Sequence, residues 1–466
     1  MSGLSSHTSE KRKPRVKRKL LAALSLLLVL ILAVAGCGGP NNGKSVSEDS
    51  IDKPSSLASN RDGTDKSSEK ITLKLMHLWP EDSAAQYKVV SRIIDEYQKA
   101  NPNVKIQTDM LANEQYKSKL KILAASNELP DIGFTWAAGF MTPYVRSRMF
   151  APLNDIVQGE FKGKFVAGTV EAYSYNGNDY ALPIELNIVP IFYNKSIFQK
   201  YNLQPPNTYD ELLNIIRTLR GNEVTPITLG GNDGWPVSLW YMYLADRIGG
   251  PSLLDESVAH RTFTDPALIA AAKKSQELVD MDAFNQGFIG LSNDEATAVF
   301  MNSKAAMYMT GSWEVPNYTM NKAFPQEFRN QIGFFKFPTI DGAKGNVDDW
   351  VGGPGVGLFV SQNSKHMDEA KRFVAFFVKK WGEISVTDAG IIPATKVDTD
   401  AIKLPQMYID LLNELNNAKK VTLYLDVQMN PVEAKGHYNL IQELFSKQIT
   451  PEEFAHFQEK LLKDGN

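Results

Sequence analysis

Between Ile71 and Trp136 the apolar periodicity switches repeatedly between two senses, and this alternation limits the fold more than any other feature of the chain. The run ITLKLMHLWP alternates as a strand from Ile71 to near Trp79. Val89, Val90, Ile93, Ile94 and Tyr97 then recur at helical spacing. Asn101-Pro102-Asn103 stops that helix, and Val104 to Gln107 form the next short strand. A second helix runs through Ala124, and LPDIGFTW is again a strand, ending at Trp136. Strands alternating with helices predict a mainly parallel α/β sheet with helices on its faces. Ligands of open α/β sheets bind in the crevice outside the carboxyl ends of the strands.

The rest of the chain keeps the α/β character. Tyr175-Asn176-Gly177-Asn178 carries the Asn-Gly signature of a hairpin. The following ALPIELNIVPIFYNKSIF is too long and proline-interrupted for one strand, and suits an extended segment crossing between two lobes. Thr208 to Glu211 form a capping box that opens a helix carrying Leu212, Leu213, Ile215 and Ile216. Further helices are predicted at about 240–248, 266–280, 293–301 and 366–379, with strands before Trp313, over 332–337 and over 356–360. From about residue 401 the chain reads as mostly helical.

Tryptophan recurs at strand ends and in glycine-rich turns. Trp79 precedes Pro80-Glu81-Asp82, Trp136 precedes Ala-Ala-Gly, Trp235 sits in GGNDGWP, Trp313 in GSW, and Trp350 before Val-Gly-Gly. A sugar ring has a face of C–H groups and an equator of hydroxyls, so its pocket needs flat aromatic platforms beside carboxylates and amides. Taken singly, each tryptophan reads equally as core. Glu81 and Asp82 read also as first-turn helix residues, and Asn232 and Asp233 as turn formers. The repetition of the pattern is what favours binding.

The first 36 residues stand outside the fold. KRKPRVKRK is a strongly positive stretch, followed by an apolar run from Leu20 to Val34, too short to span a membrane and suited to a secretory signal. Val34-Ala35-Gly36-Cys37 resembles a bacterial lipobox, which implies cleavage before Cys37 and diacylglycerol on its thiol; the other reading is an ordinary thiol in an uncleaved anchor helix. Residues 37–70 have few apolar side chains and no sustained period, as expected of a disordered tether.

Composition excludes several function classes. A formal charge of −3 argues against a nucleic-acid partner. One cysteine permits no internal disulfide, and six scattered histidines show no metal-ligand spacing, so neither a metal nor a cofactor is expected. GxSxG and P-loop motifs are absent. Gly352-Gly353-Pro354-Gly355-Val356-Gly357 fits a dinucleotide loop poorly, because Leu358 stands where the last glycine is needed and a strand follows in place of a helix.

Several separate blocks resemble the extracellular solute-binding proteins, family 1, of ABC-type sugar importers. They are NGNDYALPIELNIVPIFYNKSIFQKYNLQPPNTYDELL, FMNSKAAMYMTGSW, LPDIGFTWAAGF, and IGFFKFPTIDG followed by VGGPGVGLFVSQNSKHMDEAKRFVAFF. One departure is Asn302-Ser303 where the family has a glycine before the lysine. The resemblance covers nearly all of 71–466 and implies a two-lobe, type II periplasmic-binding-protein-like α/β fold with a hinge and an interlobe cleft. Lobe one would hold 71–184 plus 338–390, and lobe two 185–337 plus 391–466, with crossings near 183–186, 332–360 and 388–396.

Carried over residue by residue, the family's aromatic platforms fall on Trp136 and Trp313, and its polar contact in the crossing on Asn187, with Glu185 close by. Trp79, Glu81 and Asp82 lie in the loop after the first strand, and Asp233 and Trp235 in a loop facing the cleft from lobe two. Trp350 and Gly353 are weaker candidates, since a Gly-Gly strand start serves close backbone approach equally well. The implied function is a monomeric, lipid-anchored, non-enzymatic receptor on the outer face of the cell membrane, which captures a carbohydrate and hands it to membrane permease subunits. The alternatives are a secreted polysaccharide-active enzyme, which needs two carboxylates at a set separation across the scissile bond, and the same fold binding a non-sugar solute.

Overall fold

The computed structural model describes residues 70–80, 85–322, 324–397 and 403–465. The signal, the lipobox with Cys37, the tether, and Glu81 and Asp82 lie outside the described residues.

The predicted alternation at the start of the fold gives strands β1 (Ile71–His77), β2 (Val104–Met110) and β3 (Ile132–Thr135), and helices α1 (Ala85–Ala100), α2 (Asn113–Ala125) and α3 (Ala138–Arg146). β1 pairs parallel with both β2 and β3. The sheet is completed by Gly357–Val360, antiparallel to β3, and by Leu182–Pro183 at the far edge. Val89, Val90, Ile93, Ile94 and Tyr97 of α1 are buried, so the predicted apolar stripe is the packed face. The helix Met367–Asp388, longer than predicted, lies beside α1 and buries Phe373, Phe377 and Trp381.

A second sheet has the strand order Ile332–Phe335, Ile191–Asn194, Ala305–Met309, Thr225–Thr228. The helix Tyr209–Gly221 buries Leu212, Leu213, Ile215, Ile216 and Leu219, and the capping box of Thr208 and Glu211 is formed. Helix Trp235–Gly249 is buried continuously from Pro236 to Arg247. A helix apolar all round belongs in the middle of a lobe, and this one is packed by the helices Pro266–Asp280, Leu253–His260 and Pro431–Phe445.

A third, three-stranded sheet lies where the chain crosses. Its order is Lys420–Leu423, Asp349–Pro354, Leu186–Ile188. The proline-interrupted segment therefore serves three sheets in succession: Leu182–Pro183 the first, Leu186–Ile188 the third and Ile191–Asn194 the second. The return crossing lies towards the end of the expected 332–360. Residues 338–354 stay with the second sheet's surroundings, Thr339 bridging to Thr208 and Asp349 bonded to Arg247, and the chain joins the first sheet only at Gly357. Within the expected last crossing at 388–396, Pro393 and Thr395 bridge to Glu185 and Phe165.

The Gly-Gly pair in this crossing is there for close approach. A Cβ on Gly352 would stand 2.2 Å from the Asn187 carbonyl oxygen, and Gly353 has φ +124°, a conformation L side chains rarely adopt. Among the described residues no helix is long and apolar enough to cross a membrane.

Candidate functional site

A cavity of about 520 Å³ opens between the ends of the first sheet's strands and the second sheet's loops. That volume is within the range of small-molecule sites. β1 ends at His77 and delivers Trp79 to the wall, while β3 ends at Thr135 and delivers Trp136. From the other side come Trp235 at the start of its helix and Trp313 in the 3-10 turn Ser312–Glu314. Glu185 and Asn187 of the crossing segment form part of the wall between them.

Each tryptophan is held differently. Trp79 is half-buried, stacked on Trp381 at 5.6 Å and met edge-on by Phe134 at 5.1 Å. His77 lies beside it, and burial lowers the imidazole to about 4, so it is neutral near pH 7. Trp136 is the most enclosed of the four, with Tyr116 and Phe140 against its edges and the Lys117 ammonium 4.8 Å from its ring centroid. Trp313 folds back over Gly311, where a Cβ would stand 2.0 Å from the indole. Trp235 and Tyr424 meet it edge-on at 5.7 and 6.1 Å, giving an aromatic corner in the second half of the site.

Polar groups converge on the same space. Ser312 donates to the Asn187 side-chain oxygen at 2.9 Å, tying the turn before Trp313 to the crossing segment. Asn113 Oδ1, Trp235 Nε1 and Tyr424 Oη are buried on the cavity wall and have no hydrogen-bond partner among the described residues. Buried polar atoms are normally paired; these three belong to residues that line the cavity and lie just beneath its surface.

Burial raises the Glu185 carboxyl to about 7, partly opposed by the Asn187 amide and the Val356 backbone. Burial does the same to Glu314, again to about 7, against the Asn317 amide that donates to it at 2.9 Å, while Asp294 pushes the same way as burial. Burial alone would lower the Lys117 ammonium, but Glu114 at 2.9 Å and Asp426 at 3.9 Å outweigh it and hold it above its usual value.

The Glu314 shift sets a pH dependence whose sign is fixed. Below the ordinary value of 4.5 the carboxyl is protonated in both the folded and unfolded chain. As pH rises towards 7 the unfolded chain ionises first, so stability falls, and above 7 the full penalty is present, about 3 kcal/mol at most. Glu314→Gln is therefore expected to melt higher than the parent at pH 8 and to show little of that gain at pH 4.5. A gain equal at both pH values in paired thermal melts would mean that Glu314 is ionised in the fold.

Of the candidates read from sequence, Trp79, Trp136, Glu185, Asn187, Trp235 and Trp313 are brought together on this wall. Three others are not. Trp350 lies inside the strand Asp349–Pro354, not in a loop beyond a strand end, and its side chain is fully buried core. Gly353 serves the crossing backbone, with Leu423 the nearest neighbour of a Cβ there; Gly355 reaches the wall instead. Asp233 stands behind the wall, where it accepts from the Asn293 backbone N–H at 2.7 Å.

Sequence reasoning missed Lys117, Glu314, Asn113 and Asn293 on the wall. Glu314 had a signal, since it follows Trp313 directly. Lys117 and Asn113 had none, because on an amphipathic helix such residues read as the solvated face.

Residues 80–380 match the family model described as bacterial extracellular solute-binding protein. Among similar sequences is the multiple sugar-binding protein of Streptococcus mutans, 25% identical over 66% of this chain and 71% of its own length. Another is the melibiose/raffinose/stachyose-binding protein MelE of Bacillus subtilis, 21% identical over 72% of this chain and 74% of its own. A solved structure from work on xylan utilization by the thermophilic bacterium Caldanaerobius polysaccharolyticus superposes with a TM-score of 0.80 at 34% identity, covering 85% of this chain and 100% of that one. A chitin oligosaccharide binding protein superposes with a TM-score of 0.77 at 24% identity, over 84% and 98% of the two chains.

Proposed function

The chain belongs to the bacterial extracellular solute-binding protein family, and from that premise we propose that it is the lipid-anchored, carbohydrate-capturing component of an ABC-type importer. The observation that carries the proposal is the cavity itself. Trp79, Trp235 and Trp313 stand around it together with the polar side chains of Glu185, Asn187 and Asn293. Aromatic faces suit the C–H side of a pyranose, and the polar atoms suit its hydroxyls.

In this reading the chain acts as a monomer outside the cytoplasmic membrane, tethered through Cys37. Two or more acyl chains hold a protein stably where one is marginal. The lobes divide at the three crossings near 184–188, 354–357 and 393–397 and close by hinge motion. Closure requires that the sugar bind the closed state more tightly than the open one. Glu81 and Asp82 are candidate contacts from the loop after β1. The permease reads the closed shape and takes the sugar onward.

A thermal-shift panel on the full chain tests the proposal, because a ligand bound only by the folded state raises stability by mass action. Xylan-derived oligosaccharides come first, given the relative at 34% identity, followed by malto-, cello- and chito-oligosaccharides and by α-galactosides. At a ligand concentration about 100 times Kd the stabilisation is about 2.7 kcal/mol. A rise in melting temperature with amino acids or metal chelates and with no saccharide would overturn it. Turnover of a labelled oligosaccharide would turn the reading towards an enzyme.

A further inference from the structure

We propose that this cavity selects uncharged saccharides and rejects those carrying a uronate, a deduction that rests on the saccharide reading above. The charged side chains of the wall are Glu185, Glu314, Asp426, Asp294 and Lys117. The first three are nearly buried and come from three separate elements: the crossing segment, the turn after the strand Ala305–Met309, and the short helix Leu425–Gln428. Carboxyl groups thus face the cavity from several directions.

Lys117 is the only cation on the wall among the described residues, and it is already engaged. Its ammonium is 2.9 Å from Glu114 and 3.9 Å from Asp426, and it lies over the Trp136 ring. Among the described residues no arginine lines the cavity. Recognition of a sugar carboxylate depends on a guanidinium fork or an uncommitted ammonium, and neither is offered.

At two helix starts on the wall, positive charge is already offset by acidic side chains. At the start of the helix Asn293–Met301, Asp233 already accepts from the Asn293 N–H, and Ser292 and Glu295 form a capping box. Ala112 gives the start of α2 no capping side chain, but Glu114 occupies its first turn. Above pH 7, where Glu185 and Glu314 are ionised, a uronate entering this site leaves water, gains no counter-charge and meets carboxylates at short range, where like charges repel strongly. A neutral sugar meets no such field.

The test compares saccharides that differ in charge more than in shape. Xylotriose, cellotriose and maltotriose are titrated into the full chain by calorimetry at about pH 8, above the value of about 7 that burial gives Glu185 and Glu314. Each of the three is also titrated carrying one uronic acid, as the free acid and as its methyl ester. The free acid is expected to bind at least about 100-fold more weakly than the neutral sugar, and the methyl ester to recover most of that loss. Glu314→Gln and Asp426→Asn are each expected to narrow the gap between acid and neutral sugar by about 5-fold. A uronate that binds within 3-fold of its neutral parent would overturn the inference, and so would a methyl ester as weak as the acid, since the discrimination would then be one of shape. Binding of uronates alone would overturn it while leaving the saccharide reading intact. Binding of no saccharide of either class would remove the reading on which it rests.

Discussion

Trp313→Ala is expected to weaken saccharide binding by roughly 100-fold, about 2.7 kcal/mol, while leaving thermal unfolding cooperative. The ring is half-buried at the cavity, with Gly311 behind it and with Trp235 and Tyr424 at its edges. Gly311 gives the indole a fixed seat, so the platform is set before the ligand arrives and little side-chain entropy is lost on binding. Truncation removes a large flat contact and leaves two aromatic edges without their neighbour. The packing lost costs about 1–2 kcal/mol, small for a chain of this size. Calorimetry with whichever saccharide shifts the melt gives the affinity, and circular dichroism gives the unfolding curve. Normal affinity with a broadened, early transition would assign Trp313 to packing. Trp136→Ala divides the two roles the other way: Tyr116, Phe140 and Lys117 already surround that ring, so its removal bears more on the fold.

The contrast between Trp313 and Trp350 shows what the sequence carries and what it does not. Both stand near glycines, and in one dimension they look alike. Trp313 follows a strand, and the 3-10 turn Ser312–Glu314 lifts it away from the sheet. Trp350 lies within a strand flanked on both sides, by Leu186–Ile188 and Lys420–Leu423, so it has no route to the cavity. That middle position depends on Lys420–Leu423, about seventy residues later, and local periodicity carries no information about such a partner. By contrast, β1, α1, β2, α2 and β3 were legible because neighbours in sequence are neighbours in space there, with one apolar face each. The crossing segment was legible from its prolines, although its division among three sheets was not.

The same limit explains the charged half of the site. Glu185 could be placed because it belongs to the crossing. Lys117 meets Asp426 and Tyr438 only through the packing of α2 against elements more than 300 residues away. Glu114 and Lys117 in sequence are an ordinary helical pair, i to i+3. Only the fold turns that pair towards a cavity and so decides the sign of the field there.

Arg247→Met is expected to destabilise the protein by about 4 kcal/mol and to lower its melting temperature by about 5 °C. Arg247 is fully buried at the end of the helix Trp235–Gly249. Its guanidinium donates to three backbone oxygens, those of Phe337 at 2.9 Å, Asp349 at 3.0 Å and Pro338 at 3.2 Å, and lies over the rings of Tyr243 and Phe337. These oxygens bracket the segment that leads into the crossing strand Asp349–Pro354, so one side chain ties the central helix of the second half to the hinge region. Methionine fills much of the volume and keeps the contact with the rings, but leaves three buried carbonyls unpaired, each costing about 1–3 kcal/mol. Burial pushes the neighbouring Asp246 carboxyl well above the usual range, a shift that Thr422 and the charge of Arg247 oppose. Arg247→Lys should fall between the parent and the methionine variant, because an ammonium keeps the charge but cannot span three acceptors at once. A methionine variant that melts within about 1 °C of the parent would show that these carbonyls find other partners, and the hinge would then owe its register to strand pairing alone.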